Sequence, residues 1–377
     1  MVWFVLANNC FPPNKTRRNC KVAGRGTLVT ICMTRNVGIV GLASFYGPAY
    51  AARAVDHPNT TVEGVVSRTD PDDLMRLGRP TTETFATRYD CDVYDDVAAL
   101  ADDADLLVVA SRTTRRAADA VTALERECPV LTAKPAAATV DDAWKIAEAA
   151  SESVPAVTTC PARFDDAIGE LARRVHDGGI GKPVSVRASI RHDRVPEDGI
   201  DVNAEHAPDQ AGAAYAMGYY TADLVEWLAD ATPVRIAGEL DNVNTLHSAH
   251  PDLGGATVAH EDGSQSTMTL TYSTDCRERL GNWEAEVVGT DGVLRSAHQG
   301  YEGIHWHAGP PDDRTTEAFG RTQSPILDRQ FGAFLTTVES GEYGFRVPDP
   351  DEVASALELC SAWKRSARSS KTVTLDR

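Results

Sequence analysis

The chain has 377 residues, of which 42% are hydrophobic and 24% charged. At roughly 150 residues per domain this length predicts two domains, and the composition excludes a disordered or fibrous chain. With 37 Lys and Arg against 55 Asp and Glu the formal charge is -18, a field that repels phosphate backbones and anionic lipid, and no run approaches the roughly 20 apolar residues of a membrane span. Neither a nucleic-acid nor a membrane partner is expected of this globular chain.

Only seven basic residues are lysines, Lys15, Lys21, Lys134, Lys145, Lys182, Lys364 and Lys371, and Asp is the commoner acid. An Asp-rich, Lys-poor surface stays hydrated when salt screens charge, which points to a halophilic host, a haloarchaeon. A GC-rich genome would also favour Arg over Lys. The eight cysteines form no Cys-x-x-Cys pair and are too sparse for a disulfide scaffold, so they read as reduced thiols in a cytoplasmic protein. Residues 1–32 carry Lys15, Arg17, Arg18, Lys21 and Arg25 without any acid, and hold Cys10, Cys20 and Cys32. Their apolar run precedes the charges, unlike a secretory signal. Met33 stands directly before the first strong strand and is the expected natural start, the leader being translated upstream sequence or, on the blander reading, a disordered tail.

From Asn36 onward, short β-branched runs alternate with helical stretches, with strands expected over 37–41, 62–67, 92–94, 106–110, 130–133 and 156–160. Helices are expected over 48–55, 97–101, 115–127 and 140–150, the last capped by Thr139. This rhythm predicts a doubly wound α/β domain over 33–155. Over 156–377 the rhythm changes: a helix at 165–176, a cleanly alternating strand at 184–190, a helix at 212–228, then strands at 234–240, 266–272, 284–288, 293–295 and 304–307. Without helical crossovers such a series reads as a mostly antiparallel sheet. Helices at 326–339 and 351–369 and a strand at 372–375 close an α+β domain.

The first strand runs into Gly41-Leu42-Ala43-Ser44-Phe45-Tyr46-Gly47, where a dinucleotide fingerprint places Gly at 41, 43 and 46. Only Gly41 is in register; Ala43 still permits close approach, and Gly47 takes the third role if the turn is one residue longer. The alternative is a Gly-poor turn without a ligand. Where NAD-binding chains carry an acid for the ribose, about 20 residues on, this chain has Ser67-Arg68-Thr69. Arg68 can pair with an adenosine 2′-phosphate while Ser67 and Thr69 donate hydroxyls, so the expected cofactor is NADP, with NAD less favoured. An ordinary solvated Arg is the other reading.

Together with this turn, Val130-Leu131-Thr132-Ala133-Lys134-Pro135, Arg163-Phe164, the 178–184 segment Gly-Gly-Ile-Gly-Lys-Pro-Val and the 212–223 segment resemble the glucose-fructose oxidoreductase, inositol dehydrogenase and rhizopine catabolism (Gfo/Idh/MocA) family over about residues 36–376. The resemblance implies a Rossmann domain followed by a substrate-binding and oligomerisation domain. It also implies hydride transfer between NAD(P) and a sugar, polyol or related small carbonyl compound, and a homo-oligomer built on the second domain's sheet. Cofactor contacts are implied for Gly41, Ala43, Ser44, Phe45, Tyr46, Ser67, Arg68, Thr69, Ser111, Arg112, Lys134 and Arg163, and substrate contacts for Lys134, Arg163, His192, Tyr219 and Tyr220.

Lys134 matches the family's Glu-Lys-Pro, whose Glu is here Ala133, and stands where open α/β sheets place their ligands. In the helix of the second domain, Ala216 replaces an expected Asp and Tyr220 occupies the acid/base position, with Asp223 on the same face. Lys134 and Tyr220 are thus expected to act together at the substrate oxygen, Asp223 assisting by orientation or electrostatics. The family's Thr-Pro-Asn-x-x-His is replaced by Ser111-Arg112-Thr113-Thr114-Arg115-Arg116, whose arginines either bind an anion or solvate a helix start. His305 and His307 share one strand face, and His247, His250 and His260 lie in a loop-like stretch, but none has acidic or Cys ligands at metal spacing and no metal is expected. The departures at 43, 113, 116, 133 and 216 also admit a non-catalytic NADP- or sugar-binding regulatory relative, or a redox-neutral lyase or glycosidase using transient oxidation.

Overall fold

The computed structural model describes residues 34–193, 213–243, 251–274, 282–298, 304–308, 315–319 and 323–375. The leader 1–32, Met33, His247 and His250 lie outside the described residues.

The first domain runs β1 (Arg35–Val40), α1 (Tyr46–Asp56), β2 (Thr60–Val66), α2 (Pro71–Arg76), α3 (Thr82–Tyr89), β3 (Asp92–Val93), α4 (Val97–Asp103), β4 (Leu106–Val109), α5 (Thr113–Leu124), β5 (Val130–Thr132), α6 (Val140–Ala149) and β6 (Ala156–Thr158). Its strands pair in parallel in the order β3-β2-β1-β4-β5-β6. Both faces are covered by helices, which is why Leu106–Val109 is apolar and buried throughout. The order reverses beside β1, and the crevice above β1 and β4 is where such sheets bind ligands. Helix starts away from it are closed by side chains: Asp70, Thr81, Asp96 and Thr139 each accept a backbone N–H in the first turn. The two helices opening onto it, α1 and α5, have no side-chain cap and no acid in the first turn.

Gly41 ends β1 at φ 88°, a left-handed conformation, and a Cβ there would lie 2.4 Å from the Ser111 backbone. Only glycine fits. A Cβ on Gly47 would sit 2.3 Å from the Gly41 carbonyl oxygen, so Gly47 does take the third role, close packing of α1 on the strand.

The second domain follows through a 3-10 turn (Pro161–Phe164), α7 (Asp166–His176), β7 (Pro183–Asp193), α8 (Ala213–Ala216), α9 (Gly218–Ala229), β8 (Pro233–Asp241), β9 (Leu253–His260), β10 (Gln265–Thr274), β11 (Asn282–Gly289), β12 (Val293–His298), β13 (Ile304–Ala308) and β14 (Thr315–Phe319). Helices α10 (Gln323–Ser340) and α11 (Pro350–Ser369) and strand β15 (Val373–Thr374) complete it. The sheet order is β14-β13-β12-β11-β7-β10-β9-β8-β15. It is mixed: β7 pairs in parallel with β10, and the remaining pairs are antiparallel. The helix expected at 212–228 is present as α8 and α9, and among the described strands of this sheet only β7 and β10 pair in parallel, so the sheet is mostly antiparallel as expected.

Along β7, Val186, Ala188 and Ile190 turn inward, while Arg187 and Arg191 turn outward to Glu286 and Glu284 on β11. Helix α9 is buried on nearly every side, as its run Leu224, Val225, Trp227, Leu228 requires. The closing helices dock back on the first domain, where Tyr50 donates to Gln330 of α10 at 2.8 Å and Arg53 meets Asp328 at 3.1 Å. One apolar core runs through both domains, and this docking fixes α9 against the carboxyl ends of the Rossmann strands.

Candidate active site

At the turn after β1, Ala43, Ser44 and Tyr46 are buried and Ser44 Oγ accepts the Tyr46 N–H at 3.4 Å. Phe45 is exposed, with the Arg79 guanidinium 6.0 Å from its ring centre. The N-terminus of α1, with no acid in its first turn, makes a ready anion site. Around it, Ser67 Oγ at the end of β2, and Ser111 Oγ and Thr113 Oγ1 at the end of β4, are buried without a protein partner. An unsatisfied buried hydroxyl costs about 1–3 kcal/mol; these are groups a bound dinucleotide can satisfy. A cradle that excludes any Cβ at Gly41 and orphaned hydroxyls on both sides of β1 fit such a group.

Arg68 stands at the end of β2 as expected, followed by Thr69, but it is not free of carboxylates: helix α5 brings Asp119 to within 3.2 Å of its Nη1. Asp119 is almost fully buried, and its second oxygen has no partner. Arg112 reaches Asp73 at 3.6 Å, so two ion pairs tie the β2 side of the crevice to α5. Arg116, expected to bind an anion or face solvent, does neither. It is fully buried and donates to the Ser111 carbonyl (2.8 Å), to Ala133 (3.4 Å) and to Pro135, holding the ends of β4 and β5 together. A guanidinium with five fixed donors satisfies several carbonyls at once, which the replaced histidine would not.

Lys134 follows β5 and precedes Pro135 through a cis peptide. Its N–H donates to Thr159 Oγ1 at 2.8 Å, and its Nζ donates to the Ala216 carbonyl at 2.7 Å and lies 4.8 Å from the centre of the Tyr220 ring. The side chain is 4% exposed. Tyr220, on α9, packs its ring on Trp283 of β11 and shares a hydrogen bond of 3.1 Å with the Tyr46 hydroxyl. Lys134, Tyr220 and Tyr46 thus converge from the end of β5, from α9 and from the phosphate turn. The pairing of Tyr46 with Tyr220 was not legible in the sequence, because 174 positions separate them.

Asp223 shares the helix face of Tyr220 but is engaged elsewhere. Arg163 grips it with Nε at 3.0 Å and Nη2 at 2.8 Å, and the Cys160 thiol donates to it at 2.8 Å. Arg163 is 2% exposed, lies over the Trp227 ring and also reaches Glu352 of α11 at 3.4 Å. The expected contacts of Arg163 with cofactor and substrate are therefore corrected: it is an interior clamp between the 3-10 turn, α9 and α11. Burial disfavours its charge, but Asp223 and Glu352 outweigh that and raise its pKa. Burial, then the Asp223 charge, pushes the Cys160 thiol well up. Tyr219 is fully buried beside this cluster, its hydroxyl without a partner and its pKa raised by burial, so the expected substrate contact does not hold for it.

His192 stands on β7 one residue before its end, and its side chain is outside the described ones. The same applies to His305 and His307 on β13. His260 is a core histidine between the Ala231 carbonyl and Ser266. Among the described residues no group of His, Cys, Asp and Glu is arranged to hold a metal, and no helix is long and apolar enough to cross a membrane.

Residues 35–159 match the model of an oxidoreductase family with an NAD-binding Rossmann fold, and residues 168–295 match the Gfo/Idh/MocA C-terminal domain. No curated protein matches. Among solved structures the fold is similar to levoglucosan dehydrogenase in complex with NADH and L-sorbose, with a TM-score of 0.76 at 15% identity over 92% of this chain and 100% of that one. It is also similar to an oxidoreductase from Agrobacterium radiobacter in complex with NAD+, L-tartaric acid and magnesium, at 0.74 and 17% over 91% and 98% of the two chains. An aldose-aldose oxidoreductase from Caulobacter crescentus complexed with glycerol follows at 0.71 and 18% over 91% and 100%. The two matched segments together span most of the chain and meet where Lys134 faces α9: the protein belongs to the Gfo/Idh/MocA family of oxidoreductases.

Proposed function

We propose that the chain is an NADP-dependent oxidoreductase that moves a hydride between the nicotinamide and a small sugar, polyol or sugar acid in the cytoplasm of a halophile, a haloarchaeon. The observation that carries this reading is the meeting of Lys134 Nζ and the Tyr220 phenol at the end of β5, beside the phosphate turn. When bound, a nicotinamide supplies the hydride donor or acceptor. In the reducing direction the Lys134 ammonium polarises the substrate carbonyl, and Tyr220 delivers its hydroxyl proton to that oxygen as the carbon receives hydride. The reverse direction returns that proton to Tyr220. The neighbours solved with L-sorbose and with glycerol support a polyhydroxylated substrate. A substrate screen on purified protein in high salt, following NADPH absorbance, tests the reading. Cofactor binding without turnover on any sugar, polyol or sugar acid would replace it by the regulatory one.

The preference for NADP rests on Arg68, one of whose nitrogens meets Asp119 while the side chain stays 40% exposed, so that its other donors can reach a phosphate. Calorimetric titration is expected to show NADP binding at least tenfold tighter than NAD, and Arg68→Ala to abolish most of that difference, worth about 1.4 kcal/mol per tenfold. Equal affinities in the native protein would reassign Arg68 to a structural role.

The outward face of the second sheet carries Arg187, Arg191, Thr267, Thr269 and Arg295, side chains that are exposed or half-buried. We propose that a second copy covers it. Light scattering in molar salt is expected to give a multiple of 40.6 kDa, and a monomer would remove the proposal.

A further inference from the structure

We infer that Tyr46 is a positioning residue for Tyr220: its hydroxyl fixes the phenol oxygen of the acid/base group and stabilises that oxygen once its proton has gone to substrate. The inference rests on the reading of Tyr220 as proton carrier.

Tyr46 is the first residue of α1 and is buried. Its ring is placed independently of its hydroxyl. It stacks on Tyr50 with centroids 6.1 Å apart, meets Phe45 edge-on, and Tyr50 is in turn fixed by Gln330 and Phe331 of α10. From this buttressed ring the hydroxyl crosses to the second domain and meets Tyr220 Oη at 3.1 Å. A buried phenol is ordinarily satisfied by one fixed acceptor. Here Tyr46 donates to the Tyr220 oxygen, which leaves the Tyr220 proton for the substrate oxygen, and the same bond holds that oxygen once Tyr220 has become phenolate. Hydrogen bonds to a charged oxygen are about twice as strong as neutral ones. Tyr46 keeps its proton throughout; only the Tyr220 proton crosses to the substrate oxygen.

Other groups around Tyr220 meet its ring or are engaged elsewhere. Lys134, from the end of β5, lies by its ring and is held by the Ala216 carbonyl. Tyr219 and Trp283 meet Tyr220 through their rings. Asp223 on the same helix is neutralised by Arg163, which Glu352 of α11 also meets. Because Tyr46 begins the helix whose N-terminus receives phosphate, the bond also sets the acid/base oxygen relative to the cofactor turn.

Ultraviolet difference titration of the full chain tests this without a substrate. The phenolate signal of wild type minus Tyr220→Phe isolates the Tyr220 transition. Repeated in a Tyr46→Phe background, which keeps the buttressed ring, the midpoint is expected roughly one pH unit higher, since the phenolate has lost a charge-assisted donor. With a substrate in hand, Tyr46→Phe is expected to lower kcat about tenfold with little change in KM, and to cost nothing further on top of Tyr220→Phe. An unmoved midpoint beside an inactive Tyr220→Phe overturns the role of Tyr46 alone. Wild-type turnover in Tyr220→Phe overturns the acid/base reading and this inference with it.

Discussion

Asp223→Ala is expected to lower stability by about 3–5 kcal/mol, because it strands the Arg163 guanidinium in the interior rather than exposing it. Arg163 and Asp223 have side-chain exposures of 2% and 0%, and the pair is bidentate. Removing the anion leaves a charge whose remaining carboxylate, Glu352, is partly exposed and more distant at 3.4 Å. The loss should be read from the denaturant midpoint, and molar salt should not repair it, since buried pairs are poorly screened. Replacing both partners, as Arg163→Met with Asp223→Leu, is expected to recover much of the loss, because two apolar side chains leave no unpaired charge. A wild-type midpoint in Asp223→Ala would show that Glu352 alone can hold Arg163.

Much of the first domain could be read directly because its strands are buried on both faces and advertise it: Leu-Leu-Val-Val at 106–109 admits little else, and Thr139 announces α6. Helices α2 and α3 escaped because their sequences are mostly Asp, Thr and Arg, with Leu74 and Phe85 as their buried residues. Strand β9 escaped because Leu-Gly-Gly-Ala-Thr-Val-Ala-His lacks bulky alternation. It earns its place by pairing on both sides, with β8 and with β10.

The site divides along the same line. Gly41 and Lys134 carry local signatures, a forced φ and a strand end before Pro. Arg163 and Asp223 read as ligand contacts because a polar residue near a cleft looks the same in sequence whether it faces a ligand or a partner 60 positions away. Arg116 and Asp119 belong to the same class: which carbonyl or cation they meet is decided by how β4, β5 and β2 are brought together, and nothing within a few residues of them encodes that.

Lys134→Met and Tyr220→Phe are each expected to lower kcat by on the order of 10² or more while cofactor affinity changes little. Lys134 is buried and its ammonium donates to the Ala216 backbone carbonyl. A backbone carbonyl orients an ammonium without neutralising it, and that charge can polarise a substrate oxygen. Met conserves length and apolar volume and removes that charge alone, so the fold should survive and the transition state should not be stabilised. Phe at 220 keeps the ring contacts with Trp283 and the Lys134 ammonium and removes the hydroxyl, with its transferable proton and its bond to Tyr46. Both losses should fall on kcat, because each variant leaves the backbone of the Gly41 turn unchanged. The combined variant should be little worse than the worse single one, as for groups acting as a unit. Wild-type rates in Tyr220→Phe would move the proton role to His192 on β7, since Tyr219 on α9 is fully buried.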